Sequence, residues 1–192
     1  MVKAVFTWEE AKVVAFKTSP SVLKFQLNYW KKRGELTALK RGVYLFPDRE
    51  AKTEEIAKAL YSPCYFSLEW VLHRHGLIPD VVFALTLVTT KATRAFQTPA
   101  GHFIYQKIKS SAFLGYDPQT LIAEPEKALV DYLYLHRHRF VPKNDFWEEL
   151  RMQNLEEISF RECYSFAKYF QSEKLVKLIG SLRTYAKLDS MG

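Results

Sequence analysis

The chain has 192 residues and a mass of 22.5 kDa; 48% of it is apolar and 26% charged, the balance of a globular protein and not of a disordered or fibrous one. Its longest apolar stretch, Val81 to Val88, is broken by Thr86 and is far too short to span a bilayer, and Met1-Val2-Lys3 followed by Trp8-Glu9-Glu10 lacks the apolar core of a signal peptide, so a cytoplasmic protein with no membrane partner is expected. Cys64 and Cys163 make no metal-ligand spacing and read as buried, reduced thiols, which excludes a disulfide-stapled scaffold.

The net charge of +7 is unevenly distributed. Residues 1–49 hold ten Lys or Arg against four acids (Glu9, Glu10, Glu35, Asp48), a balance of +6, and the rest of the chain carries only +1. A basic segment joined to a near-neutral body suggests a footprint for a polyanion, of which nucleic acid is the usual one. A basic surface kept for solubility fits the same count.

Thr7-Trp8-Glu9-Glu10 fits a capping box and predicts a helix from there to about Phe16, with Trp8, Ala11, Val14 and Ala15 on its buried face. Ser19-Pro20 is a second start signal, an N-cap followed by proline at the first helical position, for a helix running to Arg33 and stopping at Gly34. On that helix Leu23, Leu27 and Trp30 share one side, flanked by Val22 and Tyr29. Ser21, Lys24, Asn28, Lys31 and Lys32 gather on the opposite arc, with Phe25 at its edge. Such an arc suits a helix lying in a major groove: lysines neutralise phosphates or read guanine, Asn28 pairs with an adenine edge, and Ser21 bonds phosphate. An ordinary amphipathic helix with a solvated basic face has the same pattern.

Two β-prone runs follow, Leu36-Thr37-Ala38-Leu39 and Val43-Tyr44-Leu45-Phe46, joined by Lys40-Arg41-Gly42 and closed by Pro47. Helix, turn, helix and a hairpin with a basic tip is the order of a winged helix-turn-helix, whose wing would set Lys40 or Arg41 against phosphate or the minor groove. Arg41 has the more weakly hydrated cation of the two.

After the connector Pro47-Asp48-Arg49, Thr53 to Leu60 reads as a short capped helix and Ser67 to His75 as another, stopped by Gly76. Val81 to Thr89 and Phe103-Ile104-Tyr105 read as strands, with Lys91, Thr93 and Arg94 in a polar loop between them. Pro125-Glu126 opens a helix with acids at its positive end, on which Leu129, Tyr132, Leu133 and His136 follow helical spacing. The last fifty residues read as wholly helical, with one stripe at Phe160, Cys163, Tyr164 and Ala167 and another at Leu175, Leu178, Ile179 and Leu182.

Catalytic signatures are sparse. His73-Arg74-His75 and His136-Arg137-His138 fall at expected helix ends, where residues two apart diverge and the intervening arginines repel a cation, so no metal site is expected. Helix N-terminal electrostatics accounts for Glu124 and Glu126, and Asp131 lies far around the helix from Glu126, which argues against an acid/base pair. The seven glycines form no phosphate-binding loop, and no Ser or Cys sits in a nucleophile elbow.

Three stretches together resemble the AbiEi family of bacterial toxin–antitoxin antitoxins. They are Lys32-Arg33-Gly34-Glu35-Leu36 leading to Lys40-Arg41-Gly42-Val43-Tyr44-Leu45-Phe46-Pro47; Tyr65-Phe66-Ser67-Leu68-Glu69-Trp70-Val71-Leu72 ending in His75-Gly76-Leu77; and Ile122-Ala123-Glu124-Pro125-Glu126-Lys127-Ala128-Leu129-Val130-Asp131. The resemblance covers about residues 5 to 135, and the third stretch is the distinctive one. It implies a two-domain protein whose N-terminal winged helix represses its own operon and whose C-terminal domain counters a nucleotidyltransferase-type toxin. On that analogy Lys24, Asn28, Lys31 and Arg41 carry DNA contacts, and the helix opened by Pro125 mainly shapes the C-terminal domain.

The expectation is therefore an α+β protein: a winged helix-turn-helix DNA-binding domain over residues 1–49, then a mixed α/β domain with a helical tail over 50–192. The expected function is that of a DNA-binding antitoxin and transcriptional autorepressor of a toxin–antitoxin operon, without enzymatic activity, cofactor or metal. Its expected DNA contacts are Ser21, Lys24, Asn28, Lys31, Lys32, Lys40 and Arg41. The expected partners are double-stranded DNA upstream of its own operon and a cognate nucleotidyltransferase toxin, engaged directly or indirectly. A winged-helix protein-interaction module and an orphan transcriptional regulator without a toxin partner are the alternatives.

Overall fold

In the computed structural model, which describes residues 3–80 and 82–189, the first helix starts at the capping box. Thr7 Oγ accepts the Glu10 N–H at 3.2 Å, and the Glu10 carboxylate accepts the Thr7 N–H at 2.8 Å. This closes strand β1 (Val5–Thr7) and opens α1 (Trp8–Val14). After α2 (Pro20–Lys32), β2 (Thr37–Lys40) and β3 (Val43–Leu45) form a hairpin. β1 joins it on the β3 side, giving an antiparallel sheet of order β1-β3-β2 with Val5 opposite Leu45 and Thr37 opposite Leu45. A register shift between Ala38 and Lys40 bends β2 just before the turn. The fold is α+β, with eight α-helices and two small sheets among the described residues. None of these helices is long and apolar enough to cross a membrane.

The chain divides into two compact units, one running up to Pro63 and including Ala95–Phe103, the other made of Cys64–Arg94 and the chain from Ile104 onward. The first extends past residue 49 because α3 (Thr53–Tyr61) buries Ile56, Ala57 and Leu60 and packs against β1. No side chain caps α3, whose N-cap position is Lys52. The core of this unit gathers Leu23, Leu27 and Leu36, with Phe6, Trp8, Ala11, Ala15, Tyr44 and Phe46 against them.

In the second unit β4 (Tyr65–Phe66) pairs with β5 (Leu85–Thr89), and α4 (Glu69–Arg74) follows β4. Ser67 and Leu68 are not helical as expected, since Leu68 takes a φ of 61° that no α-helix accommodates. Of the expected strand from Val81, Val81 lies outside the described residues and pairing begins at Leu85. The second sheet has the order β4-β5-β7-β6, where β6 (Arg94–Thr98) occupies part of the stretch expected as loop and β7 is Gly101–Lys107. Four helices complete the chain: α5 (Pro125–His136), α6 (Asn144–Glu149), α7 (Phe160–Ala167) and α8 (Glu173–Asp189). α5 packs against α4, α7 and α8, and is buried nearly all round. Cys64 and Cys163 are both buried, and burial pushes the Cys163 thiol up to about 12.

Among the described residues of this unit, one charged group is buried. Lys127 and Asp131, one turn apart on α5 and both fully buried, form an ion pair. The Tyr65 hydroxyl donates to Asp131 Oδ2 at 2.8 Å, Ser67 Oγ donates to the same atom at 2.9 Å, and Lys127 Nζ donates to the Tyr65 oxygen at 2.7 Å. Burial pushes the Asp131 carboxyl up and the Lys127 ammonium down, and each partner's charge and hydrogen bond pull against that; burial, then Asp131, hold the Tyr65 phenol well above its ordinary value. Aromatic rings seal the group: Tyr116 stacks on Tyr65 at 4.5 Å, and the Phe170 ring lies 5.1 Å from Lys127 Nζ. Gly115 is required beside it, because with φ at +76° a Cβ there would stand 2.8 Å from the Phe166 ring and 2.9 Å from Lys127 Cγ.

Asp131→Asn or Lys127→Met strands the opposite charge in the interior and is expected to cost about 3–5 kcal/mol in urea denaturation followed by circular dichroism. Replacing both residues by apolar ones of similar volume recovers most of that loss. A cost below about 1 kcal/mol for either single variant would show that the pair does not act as a buried unit.

Candidate nucleic-acid interface

α2 is fixed by its ends and by one apolar seam. Ser19 Oγ accepts the Val22 N–H at 3.5 Å, Pro20 occupies the first turn, and Arg33 closes the helix. Leu23 and Leu27 lock into the core, so the other arcs of the helix turn to solvent. Ser21, Lys24, Asn28, Lys31 and Lys32 are all exposed on one of them. Lys31 Nζ donates to Asn28 Oδ1 at 3.4 Å, and the Ser21 hydroxyl lies 3.1 Å from that of Ser19. Lys3 and Lys12 are neutralised by Glu10 and Glu9 on α1, whereas among the described residues Lys24, Lys31, Lys32 and Arg41 form no ion pair.

The hairpin separates its two cations. Lys40 and Val43 face each other in the ladder, leaving Arg41-Gly42 as the turn, with Gly42 at a φ of +78° that glycine adopts without steric cost. Trp8 N–H donates to the Gly42 carbonyl at 2.8 Å and ties this turn to the start of α1. Arg41 is exposed. Lys40 is not at the tip as expected: its ammonium donates to the Leu60 carbonyl at the end of α3 and lies 4.7 Å from the Phe96 ring centre. A cation at a helix C-terminus meets the negative end of the dipole, so Lys40 has a structural employment that Arg41 lacks. Six of the seven expected contact residues are thus exposed in one compact unit, and the seventh is turned aside.

An exposed apolar arc went unread in the sequence. Phe25 is 72% exposed, and Val22, Tyr29 and Trp30 continue the arc beyond it on the side away from the lysines. Trp30 keeps 36% of its surface in water because it stands beyond Leu27, at the end of α2 where the core seam stops. Val14, expected on the buried face of α1, is 84% exposed: Trp8, Ala11 and Ala15 form the seam, and Val14 falls to one side of it. The signal was available in the helical wheel, where Phe25 and Tyr29 lie opposite Leu23 and Leu27 as plainly as the lysines do.

His75 is the C-cap of α4 and His136 the last residue of α5. Among the described residues no three His, Cys, Asp or Glu side chains cluster as metal ligands. Glu126 accepts the Ser159 N–H at 3.0 Å, and Asp131 is sealed inside with Lys127. No family model matches this chain, and no curated protein matches it either.

Lys40→Ala removes the donor to the Leu60 carbonyl and is expected to destabilise the first unit by roughly 1 kcal/mol in thermal or urea melts. Arg41→Ala, at an exposed position, is expected to shift the same melts by less than about 0.5 kcal/mol. The reverse order would place the working cation of the hairpin at Lys40.

Proposed function

We propose that this chain is a sequence-specific DNA-binding protein whose N-terminal unit works as a winged helix-turn-helix. The observation that carries the proposal is the arc of α2: three exposed lysines without acidic partners, an asparagine and a serine, in the same compact unit as the exposed Arg41. The order strand, helix, helix, hairpin, with β1 completing the sheet beside β3, supports it. In this mechanism α2 enters the major groove, Lys24, Lys31 and Lys32 neutralise phosphates or reach guanine, and Asn28 offers its amide to an adenine edge. Ser21 bonds phosphate near the start of the helix, and Arg41 at the turn meets a phosphate or the minor groove. The chain acts by occupying DNA and performs no catalysis.

The resemblance to AbiEi antitoxins extends this to a biological role: repression of its own toxin–antitoxin operon in the cytoplasm, and opposition to a nucleotidyltransferase-type toxin. A protein-interaction module is the second reading, and the exposed apolar arc from Val22 to Trp30 favours it, because such surface on a helix commonly meets another protein.

Fluorescence anisotropy with the region upstream of the gene, against scrambled DNA of equal length, tests the proposal across a salt series. Preference of roughly a thousandfold for the upstream DNA is expected. Lys24→Ala and Arg41→Ala are each expected to weaken binding and to flatten the fall of log K with log salt by about 0.9 per lost phosphate contact. Absence of binding at low salt would sink the DNA proposal and leave the protein-interaction module standing. Full binding by the double variant would remove these residues from the interface.

A further inference from the structure

A second concentration of positive charge lies in the C-terminal unit, in residues the DNA proposal does not use. Arg161, Glu162, Tyr164 and Ser165 of α7, Lys168 just after it, and Arg183 of α8 line a cleft of about 490 Å³. The spacing explains how α7 builds one wall. Cys163, Phe166 and Ala167 point inward as the buried face, so Arg161, Ser165 and Lys168, at intervals of four and three, run along the opposite face. α8 is held against α7 by its own buried stripe, Leu175, Leu178, Ile179 and Leu182, and brings Arg183 to the same cleft.

Three features of this wall have no structural explanation. Arg161 stands in the first turn of α7, where the helix dipole disfavours a cation. Among the described residues none of Arg161, Lys168 and Arg183 forms an ion pair. Glu162 is the single carboxylate among the six lining residues, so the cleft keeps an excess of positive charge together with the hydroxyls of Tyr164 and Ser165. Two guanidiniums suit bidentate recognition of phosphate, and the volume is that of a small-molecule site.

We propose that this cleft binds a small polyphosphate, either free or as the phosphate chain of a nucleotide. Arg161 and Arg183 grip the phosphates as paired forks, Lys168 adds a point charge, and the Ser165 and Tyr164 hydroxyls donate to the remaining oxygens. Its residues are separate from those proposed to touch DNA.

Isothermal titration of the full chain at low ionic strength tests it, using inorganic triphosphate, ATP, adenosine, and sulfate as titrants. Triphosphate and ATP are expected to bind saturably, adenosine and sulfate to give no saturable heat. Tighter binding of ATP than of triphosphate would identify the nucleotide as the source, and equal binding the polyphosphate itself. The Arg161→Ala/Arg183→Ala variant is expected to lose at least about tenfold in affinity with an unchanged melt, while Lys24→Ala/Arg41→Ala binds triphosphate as the parent does. Should the alanine variant melt early, Arg161→Lys/Arg183→Lys keeps both charges, removes both forks, and is expected to bind several-fold more weakly. The proposal is overturned by triphosphate heat no greater than that of sulfate, or by arginine variants that bind as the parent does. It is equally overturned if the arginine variants weaken binding of a short DNA duplex while triphosphate does not bind, which would make the cleft part of a polymer surface.

Discussion

A charged pair sealed in an apolar interior makes demands on everything around it, and Lys127 with Asp131 makes them on the whole C-terminal unit. Two ions removed from water cost several kcal/mol each unless geometry is good and the remaining donors and acceptors are satisfied. Here the satisfaction comes from far along the chain. Tyr65 opens β4, Ser67 precedes α4, and both reach Asp131 from more than sixty residues away. Their hydroxyls stay in place only if β4 pairs with β5 and if Leu68 holds its positive φ, so that the chain turns sharply into α4. The group thereby couples strand pairing, a strained loop residue and the central helix in one all-or-none arrangement. Its four side chains are buried and hydrogen-bonded to one another, a satisfied polar network of the kind that rigidifies a core.

The N-terminal unit treats charge in the opposite way. On α1, Glu9 and Glu10 favour the helix N-terminus and pair with Lys12 and Lys3. Among the described residues no acid pairs with the lysines of α2. Lys24, Lys31 and Lys32 repel one another across a helix whose packing depends on little more than Leu23 and Leu27. Lys31 and Lys32 in the last turn gain from the dipole, but Lys24 in the first half does not. A face that gains so little for the fold is well suited to a polyanion, which would relieve the repulsion on contact. The neighbouring arc of Phe25, Tyr29 and Trp30 adds apolar surface that water does not favour.

Local signals carried much of this into the sequence. The capping box at Thr7, the Ser19-Pro20 start and the Pro125 start each satisfy orphan amides or fit the first turn within four residues, and all three helices begin there. The hairpin was legible from alternation and a glycine. What escaped notice depended on distant partners. β6 contains an arginine, a glutamine and a threonine among five residues and becomes a strand because β7 pairs with it, not through its own pattern. In the sequence Asp131 reads only as an acid remote from Glu126, and nothing local beyond spacing marks Lys127 as its partner. Their separation of four residues within an otherwise apolar helix was the available signal, but Tyr65 and Ser67 could be joined to it only by the fold.

Lys40 and Arg41 show the same limit at the candidate interface. As neighbours in a basic hairpin they were interchangeable in the sequence, and the register decides between them. Lys40 belongs to the ladder opposite Val43, so its stem is committed to one face of the sheet, and there the ammonium finds the Leu60 carbonyl in the last turn of α3. Arg41 belongs to the turn, where Gly42 supplies the left-handed backbone and the Trp8 amide anchors its carbonyl. The guanidinium therefore extends from a two-residue turn tied to the start of α1, and among the described residues it forms no ion pair. A cation on a stiff support loses less conformational freedom on meeting a phosphate than one on a mobile loop. Of the two hairpin cations Arg41 is the exposed one, placed to meet an anion from solvent, and Lys40 serves by fastening the strand that carries it to α3.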